Sequence, residues 1–293
     1  MREHAPSFTA AVVAAMRGLG AFLPKDLRLV DDPYGLRFAG RLRGVRERRF
    51  LERGLRLASR AWMRGRLRRF AVYMQLRTRV IDDDVAAFVA SGGRQLVLLG
   101  AGFDSRAWRL GSLAGVDVFE VDHPATQEKK RALMNRDAPA ASVAYVPWDF
   151  ERDPLEQLHS RLGLDGHDAS ARTMTILEGV LPYLTEEAAS ATFRGIARYS
   201  ARGSPLAFTY MDGALLAEKA GSNRRKVLRW IGEPFRFGFD PGSLPRWLED
   251  HGFVLERDES AAGIAARLLG ADANPLTDRE RRGRHFALAR AAR

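Results

Sequence analysis

Cysteine is absent from the 293 residues. Its absence excludes disulfides, thiolate nucleophiles and cysteine-based metal sites, without fixing a compartment. Lysine is scarce, so the net charge of +11 is carried almost wholly by arginine. There is no run of about 18 apolar residues, so no membrane span is expected. The opening MREHAPSFTAAVVAAMRGLG has a short apolar patch but no long hydrophobic region and no clear cleavage site. Thr9 to Met16 therefore read as a helix rather than a signal peptide, and the cytoplasm is the expected location. A G-x-S-x-G nucleophile motif is missing, and nothing reads as a metal site.

What is present suits a folded enzyme. A hydrophobic content of 46% supports a sizeable core. The length fits one large α/β domain, or one domain with a helical extension. Basic residues concentrate in 41–69, where Leu51, Leu55, Ala58 and Trp62 fall at helical spacing. One side of such a helix packs while its arginines face water. The alternative is a surface for nucleic acid or an acidic partner; of the two, nucleic acid is not expected.

Residues 1–90 read as helical, with breaks near Pro24 and Pro33, and are expected to form a cap. From Gln95 onward, short apolar runs alternate with helix-like stretches, as βαβ units around a mainly parallel sheet require. The expected strands are Gln95–Leu99, Asp117–Val121, Val143–Val146, Thr173–Leu177, Leu206–Tyr210, Phe253–Arg257 and Phe286–Ala289. Helices are expected at Thr126–Asn135, Glu186–Ser200 and Pro245–His251. Between the last two strands no long helical crossover is legible, which predicts an antiparallel C-terminal strand. Residues 91–293 would thus form a Rossmann-like core, with a lid or insertion near 213–245.

Four places along this core suggest a nucleotide-like cofactor. The strand QLVLL runs into Gly100-Ala101-Gly102, where glycines let the backbone approach a ligand. The third glycine of GxGxxG is replaced by Ser105, and a strand-to-helix turn also uses glycine for geometry alone. The second strand ends in Asp122, twenty positions after Gly102. An acid there can accept from both ribose hydroxyls of an adenosine, whichever cofactor carries it, or can cap the following helix. Asp149, in VPWDF, can accept from an adenine amino group, with Phe150 packing on the ring. Glu178 ends an apolar strand, where a carboxylate is costly unless it meets a cation or donors. Arg77 lies on the helix before the first strand and can pair bidentately with a carboxylate.

Taken in order, Arg77-Thr78 with Asp82, LLGAGFDSRAWRL, EVDHPATQEKKRAL, VPWDF, LEGVLPYL and GEPFRFGFDPGSLPRWLEDHGF resemble the leucine carboxyl methyltransferase family. The match spans about residues 70–255, and FTAAVVAAMR and DDPYGLRF resemble the family's opening segments. The resemblance implies a class I methyltransferase fold with S-adenosyl-L-methionine as cofactor. It also implies that Arg77 and Gly100, with Lys25 as a second contact, bind the methionine carboxylate end. By the same resemblance Asp122 holds the ribose, Asp149 and Phe150 flank adenine, and Glu178 meets the methionyl amino group.

Transfer to an acceptor oxygen mainly needs alignment and desolvation. A carboxylate acceptor needs no base; for a hydroxyl, His123, Tyr210 and Asp212 are the candidates. Arg106, Tyr183, Tyr210, Phe235 and Phe237 are expected to line the acceptor pocket. The expected activity is O-methylation of a small molecule, for example in natural-product biosynthesis. One alternative is a protein or acidic carrier-protein-bound substrate docked on the basic N-terminal face. Another is an NAD-dependent oxidoreductase.

Overall fold

The seven apolar runs become strands β1 (Gln95–Leu99), β2 (Asp117–Asp122), β3 (Ser142–Pro147), β4 (Thr173–Leu177), β5 (Pro205–Met211), β6 (Phe253–Ser260) and β7 (Arg284–Ala291). In this computed structural model, which describes residues 8–39, 66–214, 235–270, 276 and 283–292, they form one sheet. Its order is β3-β2-β1-β4-β5-β7-β6. Strand β7 is antiparallel to both of its neighbours, and the remaining pairings are parallel. The expected strands are thus all present, β1 and β4 at the expected bounds and the other five lengthened where backbone pairing outlasts the apolar run.

Strands β1, β4 and β5 are buried at every position, as parallel strands covered on both faces must be. Alternation divides their side chains. Val97, Leu99, Val121, Leu177 and Phe208 face helices α5 (Leu158–Leu164), α6 (Glu186–Tyr199) and α7 (Leu244–Asp250) through Leu158, Phe193 and Leu248. On the other side, Leu96, Leu98, Val118 and Ile176 meet α1 (Phe8–Gly18), α2 (Arg66–Ala90) and α4 (Pro124–Met134) through Ala14, Val85 and Met134. The short α3 (Arg106–Arg109) follows the glycine turn. Within 1–90, α1 and α2 therefore share the sheet's own core. The basic stretch up to residue 65, with Leu51, Leu55, Ala58 and Trp62, lies outside the described residues, as do 215–234 of the expected lid.

One element was not legible. Helix α8 (Ala261–Leu269) separates β6 from β7. Its nine residues, AAGIAARLL, offer a single i, i+4 pair of bulky side chains, Ile264 and Leu268. Ser260 caps it by accepting from the Gly263 N–H, and Ala261, Ile264 and Ala265 bury one face. No described helix is long and apolar enough to cross a membrane.

The strand order reverses at β1, which pairs with β2 on one side and β4 on the other. Open α/β sheets place ligands at such a point, beyond the carboxyl ends of the strands. Gly100–Gly102, Asp122 and Glu178 all stand at this point of the topology.

Candidate functional site

The turn after β1 needs its glycines. Gly100 and Gly102 adopt φ of 71° and 51°, a region costly for residues with a side chain. A Cβ on Gly100 would lie 2.5 Å from Val180 Cγ2, in the loop after β4. The Gly100 and Ala101 amides donate to Val121 O at 2.9 and 3.1 Å. The next amide, of Gly102, donates to Asp122 Oδ2 at 2.6 Å, while the other carboxylate oxygen accepts from His123 N–H at 2.7 Å. Burial raises the Asp122 pKa, and these two N–H bonds oppose the rise. Of the two uses open to Asp122, capping falls instead to its neighbour: His123 Nδ1 accepts from Ala125 N–H at the start of α4.

Asp149 and Phe150 follow β3 and are half-buried. Asp149 accepts from the Glu151 N–H at 3.0 Å and stands 3.9 Å from His123 Nε2. Phe150 packs against the core shared with β3. Lys25 sits in a short turn with its side chain exposed.

Arg77 and Glu178 come together. Arg77 Nε lies 2.6 Å from Glu178 Oε1. The two atoms are buried and misaligned, so neither completes a hydrogen bond among the described residues. Around them is an ionic cluster. Arg106 Nε donates to Asp82 at 2.8 Å and its Nη1 to Glu178 Oε2 at 2.7 Å; it also pairs with Asp104. Arg109, three residues on and so on the same helix face, holds Asp82 through both terminal nitrogens. Arg17 pairs with Asp32 nearby. Burial works to raise the Glu178 pKa, but Arg77 and Arg106 bring it down to about 2. Asp104 is likewise held well below the usual range by Arg106 and Arg17, against its burial.

Two expectations about the acceptor side need correction. Arg106 does not line a pocket: it is 1% exposed and committed to three carboxylates. Tyr210 is not poised as a base. It is buried, its hydroxyl donates to Asp258 at 2.5 Å and its ring stacks on His285. Burial, then Asp258, push its pKa far above that of a free phenol. Asp212 is half-buried, and its Oδ1 accepts from Ala214 N–H. Tyr183 and Phe235 meet with ring centroids 5.3 Å apart, both half-buried. The stretch of phenylalanines divides: Phe237 is half-buried, whereas Phe239 is core, bridged to Asp212 through the backbone. Asp32, Asp104, Arg109 and Arg17 were not singled out by sequence. The only signal was the i, i+3 spacing of Arg106 and Arg109.

A mainly parallel sheet with one antiparallel strand near its end, a glycine turn after β1 and acids closing β2 and β4 define a Rossmann-like fold of the class I methyltransferase type. The sequence model of the leucine carboxyl methyltransferase family matches residues 10–197, and the chain belongs to that family. A Mycolicibacterium smegmatis protein provisionally named an S-adenosyl-L-methionine-dependent methyltransferase is 32% identical over 256 residues, 84% of this chain and 81% of its own. A second protein of that name from the same organism is 37% identical over 234 residues, 76% of this chain and 73% of its own. Among solved structures, a protein from Thermobifida fusca provisionally named a methyltransferase superposes with a TM-score of 0.60 at 18% identity, covering 100% of this chain and 97% of that one. A DUF574 family protein from Streptomyces avermitilis gives 0.59 at 15% identity, covering 95% and 96%.

Asp122→Ala removes an ionised acceptor and frees the Gly102 amide. Affinity for S-adenosylhomocysteine should fall by about 1–3 kcal/mol in calorimetry. An unchanged affinity in a folded variant would restrict Asp122 to holding the loop.

Proposed function

We propose that this protein is an S-adenosyl-L-methionine-dependent O-methyltransferase acting on a small molecule, with a carboxylate as the favoured acceptor. The observation that carries the cofactor reading is the buried Arg77–Glu178 pair, in which one cationic and one anionic atom each retain unmet hydrogen-bonding capacity. An amino-acid zwitterion offers each of them a partner: a carboxylate for Arg77 and an ammonium for Glu178. The glycine turn and Asp122 stand at the same switch point, where a nucleoside fits. The residues present therefore fit the cofactor. The provisional names of the similar mycobacterial proteins support the same reading.

When bound, S-adenosyl-L-methionine supplies a sulfonium-activated methyl group, and its transfer to an acceptor oxygen leaves the electron pair of the broken C–S bond on sulfur. The protein's part is to bind and orient. Glu178, ionised well below neutral pH, keeps a negative charge at the amino-group end. The candidate bases are engaged elsewhere: Tyr210 with Asp258, His123 Nδ1 as a helix cap and Asp212 in its own turn. A carboxylate acceptor, already anionic, needs none of them, which favours it over a hydroxyl.

Calorimetry with S-adenosylhomocysteine and with NAD tests the cofactor. Saturable binding of the first and none of the second is expected; the reverse pattern would return the chain to the oxidoreductase alternative. Phe235, Phe237 and Phe239 test the acceptor side. Phe235→Ala and Phe237→Ala should impair turnover of a carboxylic acid found by screening while leaving S-adenosylhomocysteine affinity intact. Phe239→Ala should instead destabilise the fold by about 3–5 kcal/mol. Equal unfolding in all three would make the whole stretch core and remove the aromatic support for an organic acceptor.

A further inference from the structure

Resting on the reading of the glycine turn as the cofactor loop, we infer that Arg17 and Asp32 form a positioning pair that sets this loop from the N-terminal segment. Arg17 closes α1, and its side chain is buried. One edge of its guanidinium pairs with Asp32; Nη2 donates to Phe103 O at 2.7 Å and to Ser105 Oγ at 3.4 Å. Phe103 and Ser105 directly follow the Gly100–Gly102 turn. Arg17 thus reaches across 86 positions of sequence to hold the backbone of the loop.

The pair is itself braced. Asp32 Oδ1 accepts from the Tyr34 and Gly35 N–H groups at 3.0 and 3.1 Å. Gln75, on α2 two residues before Arg77, accepts from the Leu29 and Val30 N–H groups and donates to Arg17 O. Neighbouring contacts reach the same loop. A Cβ on Gly102 would lie 3.1 Å from the Ala10 methyl, and the Phe38 ring stacks on Phe103 at 4.9 Å.

Packing alone does not call for a charge here. An apolar side chain of similar volume would fill the space without the cost of desolvating an ion pair. A guanidinium adds a planar fork that holds a carboxylate and a carbonyl in one fixed geometry. Arg17 hydrogen-bonds none of the groups read as meeting the cofactor; its charge also reaches Glu178, but what it holds directly is the loop. To the bulk that Ala10 and Phe38 bring to the loop, the pair adds charge geometry.

The test uses the full chain. Arg17→Lys keeps the cation but loses the fork, and Arg17→Met keeps the volume alone. Asp32→Asn keeps an acceptor for Tyr34 and Gly35 and loses the charge, which provides a milder variant should the Arg17 replacements fail to fold. Ile196→Val, on α6 and across the sheet from Arg17, is the remote control. In the unliganded protein, amide hydrogen exchange over residues 102–106 should quicken about tenfold in the Arg17 and Asp32 variants and not in the control. The Kd for S-adenosylhomocysteine and the KM for the cofactor should rise about tenfold, with kcat retained. Wild-type exchange and wild-type affinity in Arg17→Lys and Asp32→Asn would overturn the inference, as would full rescue by Arg17→Met. Failure of the wild-type protein to bind S-adenosylhomocysteine would instead overturn the cofactor reading; the exchange measurement would still decide whether Arg17 sets the loop.

Discussion

Replacing Arg106 by methionine is expected to cost about 3–5 kcal/mol in urea denaturation at neutral pH. The guanidinium is buried and meets Asp82, Asp104 and Glu178 together. Its removal leaves carboxylates that have already lost their water facing one another. Arg109 still holds Asp82, and Arg77 still stands beside Glu178, but Asp104 loses its largest counter-charge. Acid sharpens the expectation. Glu178 is depressed to about 2 from an ordinary 4.5, so the stability it contributes is present above about pH 4.5 and is lost as pH falls toward 2. In Arg106→Met, Asp104 and Glu178 titrate nearer their ordinary values, so acid unfolding should begin at higher pH. A loss below about 1 kcal/mol with an unchanged acid limb would show that the cluster is far better hydrated than its burial indicates.

Lys130→Met should be comparably damaging, for a different local reason. Lys130 Nζ, wholly buried, donates to both oxygens of Glu120 at 2.6 and 2.7 Å and lies 5.1 Å from the Trp108 ring centroid. Burial pushes Glu120 up to about 7, even with Lys130 attracting its charged form. Because the folded pKa exceeds the unfolded value, Glu120 favours the fold most below about pH 4.5, and that advantage declines as pH rises to 7. Removing either partner alone at pH 8 should cost about 3–5 kcal/mol. The double variant, Glu120→Leu with Lys130→Met, should regain most of the loss, since a matched apolar pair has no charge to desolvate. Additive single losses in that cycle would show that the two residues act independently.

These clusters mark where sequence reading stopped. Strands β1 and β4 have their observed bounds in the sequence because a short, mostly apolar run between turns has few other uses in an α/β chain. Gly100, Asp122 and Glu178 were legible because each ends a strand, where topology places ligands. Helix α8 was not, since one i, i+4 pair, Ile264 and Leu268, is too short a periodic signal. Arg106 was assigned to a pocket because an arginine after a glycine turn reads the same whether it faces a ligand or a buried acid.

The sequence by itself determined the alternation of strands and helices, the turn that only glycine fits and the ordered motifs that place the chain in its family. All of these are local: a run, a φ angle, a spacing. The tertiary structure alone decided which charges meet. Arg17 finds Asp32 and Phe103, Arg77 finds Glu178, and Tyr210 turns to Asp258 rather than to an acceptor. In a chain so rich in arginine, many pairings are electrostatically equivalent along the sequence. Burial separates them, because a charge removed from water persists only where packing delivers its counter-charge.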